Sequence, residues 1–213
     1  MRRLSFLAVV AVIAAGCGAG EEAPLPDAGA APPQRATLGW QEVYGDPGAR
    51  LVFRVDSLAI VKNGWRAAIS VHNESKARFS VATGPSSLDQ SFGLMLLPTG
   101  DLRELDRLNS AGQLPPIRAA QHFEPPLPGV LEPGGSWHGE ITARGALPAG
   151  SWARVVFGAF VAMGEAPAGL QDRVIWITDH AHRLVPGPQT TSVRNSGSSD
   201  SLAKSASPAA ISR

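Results

Sequence analysis

The chain has 213 residues, of which 44% are apolar and 17% charged, with a formal net charge of +1. That balance excludes a nucleic-acid binder working through a basic surplus and leaves no acidic run for a cationic partner. The 23 glycines and 18 prolines favour a turn-rich, all-β chain over a helical one, and the length suits one domain with extended ends.

At the start, Arg2 and Arg3 form a cationic segment before an apolar run over residues 4–15. That run is too short for a bilayer span of about 20 residues and reads as a signal sequence. The one cysteine of the chain, Cys17, follows directly in Ala14-Ala15-Gly16-Cys17. These residues resemble a bacterial lipobox, although Ala14 stands where leucine is usual. The resemblance implies a thioether-linked lipid on Cys17, which becomes the mature N-terminus. An ordinary cleaved secretion signal and a retained N-terminal anchor are the alternatives. Lipidation implies attachment to a membrane on its extracytoplasmic side, at the cell surface or in the periplasm. It also leaves the mature chain without disulfides, so the fold must rest on its apolar core.

Residues 1–16 are therefore expected to be a lipoprotein signal peptide and 17–37 a flexible tether, rich in Pro, Ala and Gly. Residues 38–188 are expected to form the folded domain. In it, 51–61 is rich in β-branched and aromatic residues, and Lys62-Asn63-Gly64 turns it into a second strand, WRAAISVHN. There Trp65, Ala67, Ile69 and Val71 share one face, while Arg66, Ala68, Ser70 and His72 share the other. Further short runs at 78–82, 92–97, 136–142, 154–162 and 174–178 are separated by turns such as Glu132-Pro133-Gly134-Gly135. About seven strands so punctuated predict a β-sandwich. Leu102, Leu105 and Leu108 recur at every third residue before Gly112 and predict one short helix. Residues 189–213 carry no sustained apolar period and read as a disordered tail.

Three stretches in sequence, Val71-His72-Asn73-Glu74-Ser75, the 92–97 strand, and Leu131-Glu132-Pro133-Gly134 leading on to Phe157-Gly158, resemble the immunoglobulin-like, telokin-like domains of bacterial lipoproteins. The resemblance covers residues 50–180 and implies an extracytoplasmic Ig-like module of unknown function. It brings no catalytic residues with it.

Candidate chemistry is sparse. On one strand, His180 and His182 would project from the same face and hold a divalent metal, with a third ligand from His72, His138 or Glu140. A Ser-His-Asp triad lacks the Gly-x-Ser-x-Gly elbow, and Asp179 beside His180 in sequence does not orient it. Glu21-Glu22 and Glu104-Asp106 read as solvated carboxylates, and Met95 and Met163 read as core. Trp65, Trp137, Trp152 and Trp176 are expected in the core or at a sheet edge, with Trp40 either over one end of the sandwich or an exposed contact. The Pro-rich stretch 112–135 carries His122 and Phe123 as a candidate partner surface, or else wraps a sheet edge. The expectation is a lipid-anchored, non-enzymatic module without a cofactor that recognises a protein or envelope component. The alternative is a metal-binding protein or metal-dependent hydrolase centred on His180 and His182.

Overall fold

The structure, a computed structural model, describes residues 29–81 and 92–186. Cys17, the expected signal segment 1–16, most of the expected tether and the expected tail 189–213 lie outside the described residues. The domain begins earlier than the expected boundary at residue 38. Strand β1 (Gln34–Asp46) carries Ala36, Leu38, Trp40 and Tyr44 on its inner side. Ahead of it, the amide of Ala31 donates to the carbonyl of Leu147 at 2.7 Å, so this part of the tether belongs to the fold.

A tight turn leads to β2 (Ala49–Val61), and Lys62-Asn63 leads to β3 (Gly64–Asn73). The apolar residues of β2 sit at 51, 53 and 55 and then at 58 and 60, a jump from period two to three. A bulge between Val55 and Ser57 absorbs the extra residue and keeps Leu58 and Ile60 buried. Gly64 is needed here for closeness rather than for positive φ: a Cβ on it would stand 2.1 Å from the Ala143 carbonyl oxygen.

The chain continues through β4 (Phe79–Val81), β5 (Gly93–Leu97) and helix α1 (Leu102–Ser110). Three short strands follow, β6 (Arg118–Ala119), β7 (His122–Glu124) and β8 (Val130–Leu131). The longer β9 (Ser136–Arg144), β10 (Trp152–Ala162) and β11 (Arg173–Ile177) precede β12 (His182–Arg183). The first antiparallel sheet runs β1-β2-β3-β9-β7. In the second, β10 is central, with β5 and β4 along one edge and β11 and β12 along the other. The fold is thus an all-β sandwich, with one helix among the described residues.

The two sheets meet over one apolar core. Phe53 of the first sheet lies 4.9 Å from Phe157 and 5.8 Å from Phe160 of the second, centroid to centroid, and stacks on Trp176 at 5.6 Å. Burying one such side chain contributes about 1.5–3 kcal/mol. The other face of the second sheet is covered as well, because α1 lays Leu105 over Met95, Leu97 and Val156. Hence β5 and β10 are nearly continuous apolar runs. The outer face of the first sheet has no such cover among the described residues and alternates as a half-solvated sheet should. The Pro-rich stretch 112–135 pairs β6 with β5, β7 with β9 and β8 with β4, so it laces sheet edges together.

Asn73 joins two of the stretches that carried the sequence resemblance. Wholly buried at the end of β3, its Nδ2 donates to the carbonyls of Ala77 at 2.7 Å and Glu132 at 3.1 Å. Its Oδ1 accepts from the Ser75 amide at 3.0 Å and hydroxyl at 2.7 Å. The Val71–Ser75 and Leu131–Gly134 marks are therefore one packed junction.

Candidate functional site

The sequence-nominated residues fall in different places. β11 ends at Ile177 and β12 begins at His182, so His180 lies in the intervening loop and the expected shared strand face does not form. His72, His138 and Glu140 stand on the outer face of the other sheet, and no group of three metal-capable side chains occurs among the described residues. Phe123 turns inward, 5.7 Å from Phe92 and 6.4 Å from Trp137, and His122 alone of that pair stays exposed. Met95 is core, but Met163 lies just past β10 and is 50% exposed.

His180 finds a partner that sequence reading missed. Glu42 points inward from β1, 7% exposed, and accepts four hydrogen bonds. Oε2 takes the Trp176 indole N–H at 2.7 Å and the Asp179 amide at 2.9 Å; Oε1 takes the His180 amide at 3.1 Å and Nδ1 at 2.8 Å. The His180 ring also stacks on Trp40 at 5.5 Å. Nearby, the fully buried Arg154 donates to the carbonyls of Thr178 at 2.7 Å, Asp179, and Gly100 at 3.0 Å. Burial holds its guanidinium below the ordinary arginine value, with Asp179 and Glu42 opposing. Burial, with Glu42 adding to it, raises the Asp179 carboxyl, and burial lowers His182. No side chain among the described residues hydrogen-bonds Nε2 of His180. The cluster thereby pins the β11–β12 loop to β1 and to the loop ahead of α1, closing one side of the sandwich.

A second polar constellation occupies the open face of the first sheet. Register places Gln41 of β1, Arg54 of β2, Ser70 of β3 and His138 of β9 in one cross-strand row. The adjacent row reads Val43, Val52, His72 and Ser136. Neighbours in such rows are about 5 Å apart, so their side chains form one surface. The small side chains of Val52 and Ser70 lie between Arg50, Arg54, His72 and His138, and the result is a depression of about 320 Å³.

Close ion pairing in this depression is uneven. Arg50 is held by Glu74 at 2.5 Å, which compensates both. Asp56 is directed to His138 at 3.8 Å. Arg54 has no carboxylate within 4.0 Å among the described residues. His72 Nδ1 lies 3.1 Å from the Gly135 carbonyl oxygen, which only accepts, so Nδ1 carries the proton and Nε2 of the neutral ring is an acceptor. The strand alternation already set Ser70 and His72 on the polar face. What it lacked was the sheet order that brings Arg54 and His138 to either side of them.

Comparisons of the chain with protein-family models, with curated proteins and with solved structures return no match.

Proposed function

We propose that this chain is a lipid-anchored, extracytoplasmic, immunoglobulin-like module that recognises a protein or envelope component, and that it does so through the outer face of the sheet β1-β2-β3-β9-β7. The reading is supported above all by that face itself. Among the described residues it is the broad sheet surface left uncovered in a sandwich whose other outer face is packed under α1, and it holds the depression of about 320 Å³ with Arg54, which has no described carboxylate within 4.0 Å. The signal-like segment and Cys17 supply the anchor in this reading, and residues 17–28 the reach away from the membrane.

Two measurements test it. Mass spectrometry of the membrane-fractionated protein should find a diacylglyceryl-modified Cys17 at the N-terminus. An unmodified N-terminus generated elsewhere rules out the anchor. A photo-crosslinking residue at Thr37, on the outer side of β1, should capture a discrete partner in the native envelope, whereas one at Arg103 on α1 should not. Equal capture at both sites refutes the assignment of the face.

A further inference from the structure

The depression on this face has a chemistry of its own. We propose that it is a binding site for a phosphorylated polyol, with the phosphoryl oxyanion on Arg54 and Ser70 and the hydroxyl-bearing body over His72, Ser136 and His138. This rests on the outer face being the recognition surface, and it adds the class of ligand.

Three observations carry it. The first is the cation: Arg54 projects from an interior strand of the sheet, no carboxylate of the described residues lies within 4.0 Å of it, and Glu74 in the same depression is held by Arg50. A guanidinium binds phosphate through paired charge-assisted hydrogen bonds, the strong class of such contacts. The second is the company it keeps. Gln41 and Ser70 flank Arg54 in the same row, one on each neighbouring strand, and both donate. An oxyanion with several oxygens takes donors from three strands at once, whereas a carboxylate is satisfied by the arginine fork alone. The third is the acceptor set. With its Nδ1 proton committed to Gly135, His72 presents Nε2 as a lone pair, and the hydroxyl of Ser136 in the same row both donates and accepts. Acceptors beside an anion site suit a ligand whose body carries several hydroxyls next to its phosphoryl group. The volume of about 320 Å³ is at the small end of ligand clefts, enough for a glycerol or sugar phosphate.

The test uses the full-length lipidated chain in micelles of a non-ionic, hydroxyl-free detergent, followed by amide NMR. Glycerol 3-phosphate should shift the amides of Arg54, Ser70, His72 and Ser136 saturably. Inorganic phosphate should bind more weakly, and acetate at equal ionic strength should leave them unmoved. Arg54→Gln, at an exposed position, should weaken binding at least about tenfold, while Arg66→Gln on the same face outside the depression should not. Phosphatidylglycerol doped into the micelles separates two sources of the ligand: competition assigns the group to a lipid headgroup, and its absence to a soluble ester. No saturable shift with glycerol phosphate, an equal response to acetate, or an unchanged response in Arg54→Gln overturns the proposal. Such a failure leaves envelope crosslinking from Thr37 intact, so the ligand class and the recognition face stand or fall separately.

Discussion

Asn73 and Glu42 do similar jobs with opposite visibility. Each is a buried polar side chain whose hydrogen-bonding capacity is met by backbone from a distant segment, the arrangement that makes burial of a polar group tolerable. Asn73 follows a strand and precedes Glu74-Ser75, so its place at a junction was legible. Glu42 interrupts the inward positions Leu38, Trp40 and Tyr44 of β1, and that single carboxylate hid the strand's alternation. Asn73→Ala would strand the carbonyl oxygens of Ala77 and Glu132 and the Ser75 hydroxyl. The expected cost is about 3 kcal/mol, read as a fall in Tm of about 6–12 °C. Removing Glu42 acts differently. Glu42→Gln keeps the volume but replaces one acceptor oxygen by a donor, facing either Trp176 and Asp179 or His180 with the wrong group. It should raise amide exchange in residues 178–182 more than in β3, and uniform exchange across the two regions contradicts the role given to Glu42.

At the scale of elements, the helix was the most predictable piece. Its capping is complete: Asp101 accepts the Arg103 amide at 3.0 Å, and past the C-cap Gly112 has φ +66°. The amides of Gly112 and Gln113 return to the carbonyls of Asn109 and Leu108 at 3.1 and 2.8 Å, a Schellman closure. Asp101→Ala and Gly112→Ala should each cost about 1 kcal/mol by chemical denaturation. The two ends are about 14 Å apart, so the double variant should lose the sum. The long strands were legible for the same reason, since β-branched and aromatic residues alternate along them; the turn between β2 and β3 falls at Lys62-Asn63, one residue ahead of the Asn-Gly pair, with Gly64 already in the strand. The two- and three-residue strands of the Pro-rich stretch were not. A pair of residues has no period, and β6, β7 and β8 exist only because an edge of another strand is there to receive them. That is also why Phe123 looked like a contact residue: its inward direction is set by pairing with Ile141 on β9.

For the whole molecule, the pH dependence of stability follows from groups held between the sheets and their loops. His182 is kept below its ordinary value by burial, so the folded chain refuses a proton that the unfolded chain accepts near pH 6.5. Its contribution is fully present above that pH and is lost as the pH falls toward the lower folded value. Thermal melts from pH 7.5 to 5 should therefore drop less steeply in His182→Gln than in the parent chain, and parallel slopes would contradict the assignment. The same tertiary order decides where the proposed recognition site lies. By itself, the sequence determined the all-β class, the longer strands and the helix, because each rests on neighbours within a few residues. Only the tertiary structure decided that Glu42 holds His180, that Phe123 is inside, and that Arg54 faces Ser70 beside His138. Those pairings join residues far apart in the chain, and strand order, which no local period encodes, sets which of them meet.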